Sequence, residues 1–174
     1  MLKSAHLILT PLTVADLPIM LNWINNREQM LLNAPYKPVT EKQHKFWLES
    51  IQNRNDIFIF GIHLLESNRL IGSCQLRSIN YIHRSTKLQI RIGEVFQQGQ
   101  GYGTETIHSL LNFAFKDLNL NRVHLHVFST NTIALHVYKK VGFIHEGLLR
   151  KAAHINGTYI DIIVMSILRE EYAD

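Results

Sequence analysis

The sequence predicts a mixed α/β fold, in which a mostly antiparallel sheet carries helices on both of its faces. Strand-like segments come first as a block, then alternate with helical segments, and then form a block again. A doubly wound parallel sheet would alternate strands and helices throughout, so this order favours a mixed sheet. The 174 residues contain no internal repeat and no Gly- or Pro-rich linker, and they fit one domain over residues 1–174.

The first half of the chain predicts a strand, a helix, a loop, a second helix and three strands. Their bounds are about 6–12, 13–25, 33–38, 40–51, 57–65, 70–79 and 87–95. Thr13 and Thr40 have side-chain oxygens that can cap the first amides of the two helices. Gln43, three residues after Thr40, completes the form of a capping box. The two prolines of segment 33–38 exclude a helix there.

The second half predicts a helix, a strand, a shorter helix and two closing strands. Their bounds are about 101–118, 122–128, 131–141, 143–151 and 159–168. Gly142 supplies the left-handed conformation that ends many helices. Asn156-Gly157 is a strong signal for a tight turn between the last two strands.

Composition and charge exclude several classes of protein. The net charge is +4, without a basic tail or block, so the lysines and arginines indicate an ordinary solvated surface and not a nucleic-acid partner. No apolar run is long enough to cross a membrane. The single cysteine, Cys74, excludes an internal disulfide, favours a cytoplasmic location, and lies in an apolar run that predicts core packing. His124 and His126 share a strand face but lack a third ligand, so no metal site is expected.

A glycine-rich turn between a strand and a helix is the most informative segment. Gly99, Gly101 and Gly103 alternate in the run from Gln97 to Thr104. Glycines let the backbone turn tightly and approach a ligand closely, and the first amides of a helix attract phosphate. The spacing does not match the dinucleotide pattern, and the Walker lysine is missing. The turn therefore predicts a diphosphate site for a ligand other than NAD or ATP.

Two blocks then resemble a known family. Gln98-Gly99-Gln100-Gly101-Tyr102-Gly103 is similar to the [RQ]-x-x-G-x-[GA] signature of the GCN5-related N-acetyltransferases. The run from Asn131 through Ala134, Tyr138 and Lys140 to Gly142-Phe143 resembles that family's N-x-x-A-x-x-x-Y-x-K-x-G-F block. The tail, with Glu146-Gly147, Arg150, Asn156-Gly157, Tyr159 and Asp161, resembles the branch of ribosomal-protein and spermidine acetyltransferases.

The resemblance implies a fold whose two central strands splay apart to admit acetyl-CoA as co-substrate, without a metal. It implies that the pantetheine arm pairs with the edge at Arg91-Ile92-Gly93. The residues it implies for cofactor binding are Arg91, Ile92, Gly93, Gln98, Gly99, Gln100, Gly101, Tyr102, Gly103, Thr104, Asn131, Tyr138 and Lys140. The partners expected are acetyl-CoA, an amine acceptor and a second copy in a homodimer, with no nucleic acid and no membrane.

Direct transfer of an acyl group to an amine needs an acid and a base. An alkyl amine has a pKa near 10.4, and removing its proton at neutral pH costs about 4 kcal/mol. By position in the matched block, Tyr138 is the predicted general acid for the leaving thiolate. Several relatives have a glutamate where this chain has His126, whose ordinary pKa near 6.5 suits a base. Glu94 is the alternative base.

The acceptor is the least determined part of the prediction. By resemblance, the first two helices and the segment 34–40 shape its site. A protein N-terminus, an amino sugar or another small amine is expected. A polyamine ranks lower because it calls for an acidic pocket, and the acids of the N-terminal half are scattered. An acyl-CoA-binding regulatory module without turnover is the alternative from another class.

Overall fold

The computed structural model describes residues 1–173, so Asp174 of the predicted domain lies outside the described residues. The strands are β1 Leu2–Lys3, β2 Leu7–Pro11, β3 Ile57–Leu64, β4 Leu70–Asn80, β5 Ser85–Ile92, β6 Arg122–Phe128, β7 Ile144–Ile155 and β8 Thr158–Leu168. The helices are α1 Leu17–Ile24, α2 Arg27–Leu31, α3 Glu41–Ile51, α4 Tyr102–Asn112 and α5 Thr132–Val141. No helix among residues 1–173 is long and apolar enough to span a membrane.

The strands form one sheet in the order β1-β2-β3-β4-β5-β6-β8-β7. Over residues 1–173, the pairing of β5 with β6 is parallel and every other pairing is antiparallel. This parallel pairing covers only Ser85, Thr86 and Lys87 of β5, opposite residues 122–124. Beyond that point β5 stays paired with β4 and β6 with β8, so the two strands diverge and open the sheet.

Helices cover both faces of the sheet, as the sequence predicts. One face packs against α4 and α5 and holds the larger core, which includes Ile107, Leu110 and Leu125. The other face packs against α1 and α3 through a smaller core. The members of that smaller core are Leu12, Leu17, Met20, Trp23, Leu48 and Leu70. The opening between β5 and β6 therefore connects two helical layers.

Three local features differ from the sequence prediction. Strand β5 ends at Ile92 and not near Val95, because the amides of Gly93 and Glu94 both donate to the carbonyl of Ile71 and turn the chain. The helix expected over 101–118 changes to a π-helical turn over Phe113–Asp117. The chain also forms the short elements β1 and α2, which the sequence did not indicate.

Candidate active site

A cleft of about 320 Å³ occupies the opening between β5 and β6. Its lining comes from both faces of the sheet, because the strands no longer close the gap between them. The residues that line it are Met20, Ile24, Asn33, Trp47, Ile59, Ser73, Cys74, Gln75, Arg77, Lys87, Leu88, Gln89, Ile90, Arg91, His126, Val127, Phe128, Tyr138 and Ile162. The predicted residues Arg91, His126 and Tyr138 are thus brought to one cavity, although they are far apart in the sequence.

Tyr138 lies on α5 and lines this cleft. Its ring packs against Phe143 with 5.7 Å between ring centroids, in an edge-to-face arrangement. Burial raises the pKa of the Tyr138 phenol to about 12, because burial disfavours the charged phenolate. The phenol is therefore protonated at neutral pH and can donate a proton.

His126 lies on β6 and is exposed to the cleft, 3.3 Å from the Lys87 ammonium as measured between Nζ and Nδ1. Partial burial, and secondarily the charge of Lys87, lowers the pKa of His126. The imidazole is therefore neutral at pH 7. A charged Lys87 donates to Nδ1, so the neutral ring carries its own proton on Nε2.

Glu94, the alternative base, forms an ion pair outside the cleft lining. Its Oε2 accepts a hydrogen bond from Nη2 of Arg69 at 2.7 Å. The carboxylate thus lies at the end of β5 and is neutralised by a cation. The structure gives His126, and not Glu94, direct access to the cleft.

The glycine turn has the geometry of an anion site. Gly99 and Gly101 have φ angles of 75° and 87°, in the left-handed region that favours glycine. Gly101 caps α4, and Glu105 N–H donates back to the Gly101 carbonyl, so the earlier amides of the helix lie ahead of its first hydrogen bond. No atom outside the turn lies within 4 Å of the Cβ positions of Gly99, Gly101 or Gly103. These exposed amides fit a diphosphate.

Position 93 requires a glycine for a packing reason. A Cβ added there would lie 2.0 Å from the ring of Trp23 on α1. The missing side chain lets α1 pack directly over the end of β5. The predicted cofactor-binding edge at Arg91-Ile92-Gly93 is thus held in place by a helix of the opposite layer.

Asn131 and Lys140 mark the two ends of α5. The Asn131 side chain accepts a hydrogen bond from Ala134 N–H and donates to the carbonyl of Leu32 at 3.3 Å. It therefore caps α5 and ties it to the segment after α2. Lys140 is exposed in the last turn of α5. Binding of the cofactor by these two side chains stays a prediction.

The sequence motifs did not indicate Gln75, Arg77, Lys87 and Gln89 as site residues. These side chains alternate with buried residues such as Cys74, Leu76 and Leu88 along β4 and β5, a period-2 pattern that places them on one face. That alternation was the available signal, but it does not reveal that the sheet opens beside them. No cluster of metal-ligating side chains occurs among residues 1–173.

Comparison with known proteins extends the likeness to the whole chain. Residues 6–144 match the family model described as an acetyltransferase (GNAT) domain. The spermidine N(1)-acetyltransferase of Vibrio cholerae is 35% identical over 171 residues, which cover 97% of this chain and 96% of that protein.

Solved structures agree with this result. The crystal structure of the Vibrio cholerae spermidine N-acetyltransferase with CoA and spermine superposes with a TM-score of 0.90 at 34% identity, covering 98% of this chain and 100% of that one. A dodecameric structure of the same enzyme in an intermediate state superposes with a TM-score of 0.84 at 32% identity, over 98% of both chains. The predicted fold and family are confirmed, and this chain belongs to the GNAT family of acetyltransferases.

Proposed function

We propose that this enzyme, an acetyl-CoA-dependent N-acetyltransferase, transfers the acetyl group directly to a primary amine within the cleft between β5 and β6. The observation that carries the proposal is the position of Tyr138, whose protonated phenol lines the gap between two splayed strands. Both substrates are held at one place there, and effective molarities in such arrangements reach about 10⁵ M or more.

The glycine turn binds the diphosphate of CoA in this proposal. The amides from Gly99 to Thr104 donate to the phosphate oxygens, and the N-terminal end of α4 supplies positive potential. The free edge of β5 at Arg91-Ile92-Gly93 receives the pantetheine arm. A backbone N–H of β5 that faces the opening also offers a donor for the oxyanion that forms during acyl transfer.

The chemistry needs one proton taken up and one proton delivered. The amine nitrogen bonds to the thioester carbon, and the carbon–sulfur bond then breaks. Tyr138 gives its proton to the departing sulfur, and His126 accepts the proton of the amine, directly or through water. Because Lys87 donates to Nδ1 of His126, this base acts only after Lys87 has moved away or lost its proton.

Steady-state rates of Tyr138→Phe and His126→Ala test these roles. We expect kcat to fall about 10²-fold or more for Tyr138→Phe, the lower range for a lost general acid. Tyr159→Phe, an exposed tyrosine on β8, is the matched control and should keep its rate. Near-normal turnover of Tyr138→Phe would remove the phenol from the chemistry.

The dependence of activity on pH tests the role of His126. The lowered pKa of His126 places its protonation below its ordinary value near 6.5, so wild-type activity should decline as the pH falls through that lower range. His126→Ala should lower kcat and lose this acid limb. An unchanged acid limb would assign the base to another group, with Glu94 next.

The Vibrio cholerae enzyme supports proposals about two further properties of this chain, its acceptor and its oligomeric state. Its substrate by name is spermidine, which makes a polyamine the second candidate acceptor for this chain. Its dodecameric form supports self-association here, beyond the homodimer that the sequence analysis expects. Light scattering of the purified chain checks this, and a monomer at all concentrations would contradict it.

A further inference from the structure

The charge of the cleft lining is one-sided. None of the lining residues is an aspartate or a glutamate, whereas three of them carry positive charge: Arg77, Lys87 and Arg91. The remaining polar side chains are neutral: Asn33, Ser73, Gln75, Gln89, His126 and Tyr138. A polyamine, with several ammonium groups, would find no opposite charge on these walls.

The three cations line one wall of the cleft, on the face of the sheet that packs against α1 and α3. Arg77 lies on β4 directly opposite Lys87 on β5, and Arg91 follows Lys87 by four residues on the same face. Burial, and secondarily the charge of Arg77, lowers the pKa of Lys87. Nε of Arg91 is buried without a hydrogen-bond partner in the described chain.

Carboxylates near the cleft are already engaged. Asp56 is close enough to Arg77 to sense its charge, but it forms a two-point ion pair with Arg54. Glu146 lies near His124 and accepts hydrogen bonds from Arg122 and Ser166. Over residues 1–173, none of Arg77, Lys87 and Arg91 forms an ion pair with a carboxylate. The wall therefore keeps unbalanced positive charge.

This charge is separate from the diphosphate site. No residue from Gln98 to Thr104 lines the cleft, so the amides proposed for the diphosphate face a different region. Lys87, one of the three cations, lies 3.3 Å from His126, where the acceptor amine must approach. A cleft of about 320 Å³ matches a small ligand, since such pockets begin at about 300 Å³.

We infer that the acceptor is a small primary amine that also carries an anionic group, a carboxylate or a phosphate, and that the Arg77–Lys87–Arg91 wall binds this group. The inference rests on the proposed function and specifies its acceptor. It separates this chain from its relative in Vibrio cholerae, whose name states spermidine, because a polycation would be repelled by the same wall.

Acceptors matched in length provide the first test. Thiol release from acetyl-CoA is measured with 4-aminobutyrate, butylamine and 1,4-diaminobutane, which share one spacer and differ in terminal charge. O-phosphoethanolamine and ethanolamine form a second pair, which distinguishes phosphate from carboxylate, and spermidine completes the set. We expect kcat/KM to be at least tenfold higher for an anionic amine than for its neutral partner. It should also be at least tenfold higher than for 1,4-diaminobutane and for spermidine. A preference for spermidine or butylamine would overturn the inference.

A charge reversal provides the second test. Arg77→Glu, on an exposed strand residue, should raise KM for the anionic amine at least tenfold and lower KM for spermidine, while KM for acetyl-CoA stays within twofold. Arg77→Lys should restore the wild-type preference. Lys3→Glu on β1, four strands away from β5 in the sheet, is the control with the same charge change. A rise confined to KM for acetyl-CoA would assign the wall to the donor and contradict the inference.

Calorimetric titration of the CoA-bound protein separates this inference from the proposed function. We expect measurable binding of 4-aminobutyrate or O-phosphoethanolamine and weaker binding of spermidine. Tighter binding of spermidine, or no binding of either anionic amine, would overturn the acceptor class. Absence of thiol release with every amine would contradict the proposed function, while the titration still decides which charge the cleft accepts.

Discussion

Glu146 is a carboxylate whose hydrogen bonds contribute to the stability of the fold. Its carboxylate accepts hydrogen bonds from Arg122 and from Ser166, and these hold its pKa at about 2. The folded pKa is thus below the unfolded value of about 4.5. The carboxylate therefore stabilises the fold above pH 4.5, and this stabilisation is lost as the pH falls toward 2.

Glu146→Gln should lower the free energy of unfolding by about 1 kcal/mol at pH 7, after solvent screening of a pair that is one-third exposed. Urea unfolding at several pH values measures this difference, which should shrink as the pH falls below 4.5. Glu49→Gln, on an exposed residue of α3, is the control. A difference that is constant down to pH 2 would show that the loss arises from packing and not from charge.

Gly101 is the residue on which the anion site depends most directly. Its φ of 87° is strained for any residue with a Cβ, so Gly101→Ala should destabilise the chain by about 1–2 kcal/mol. It should also raise KM for acetyl-CoA several-fold and leave KM for the amine unchanged, because the amides of the turn shift. Steady-state kinetics and thermal unfolding check both effects.

Gly157 provides the matched control for Gly101. It has a similar positive φ of 75° but lies in the turn between β7 and β8. Gly157→Ala should therefore cost similar stability without any change in KM for acetyl-CoA. Equal kinetic effects of the two substitutions would mean that the turn at Gly101 acts only through stability.

At the scale of elements, α1 is fitted to β5 through the contact of Trp23 with Gly93. An alanine at Gly93 would overlap the indole ring, and overpacking of this kind costs about 1–3 kcal/mol. Trp23→Leu alone should also destabilise the chain, because a buried aromatic contact is lost. Chemical unfolding of both single variants and of the double variant gives the coupling energy.

The double variant should be more stable than the sum of the two single losses predicts, because the smaller Leu side chain makes room for the added Cβ. Additive losses would contradict a direct contact between α1 and β5. The result matters for function because this contact sets the position of the strand edge proposed to receive the pantetheine arm.

The sequence predicted the features that depend on neighbouring residues, and it missed those that depend on contacts between distant parts of the chain. The sequence correctly predicted that Tyr138 lies on a short helix and that Gly101 begins a long one, because caps, turns and helical periodicity are local. The approach of Lys87 to His126 could not be predicted, because it depends on a parallel register that spans 39 residues. Likewise, the sequence placed Arg77 and Lys87 on two strands but did not reveal the cavity above them.

For the whole molecule, the open sheet predicts a distinct pattern of amide exchange. Amides of β5 that point toward β6 have a strand partner only up to Lys87. Those from Leu88 to Ile92 that point into the cleft should exchange faster than the amides of β3, which is paired on both sides. Mass spectrometry or NMR of the free protein measures this contrast.

Acetyl-CoA should slow exchange in the same segment of β5 if the pantetheine arm pairs with its edge. Protection confined to the glycine turn would support diphosphate binding and contradict strand pairing by the arm. Strand β2, far from the cleft in the strand order, is the internal reference and should not change.

The sheet has two parts, β1 to β5 and β6 to β8, which are joined by only three residue pairs. The first part carries Arg77, Lys87 and Arg91. Tyr138 lies on α5, the helix that connects β6 to β7 in the second part. Substitutions in the first part can therefore change the acceptor specificity of the opening and leave the proton donor in place. The same fold thus permits a change of substrate without a change of reaction.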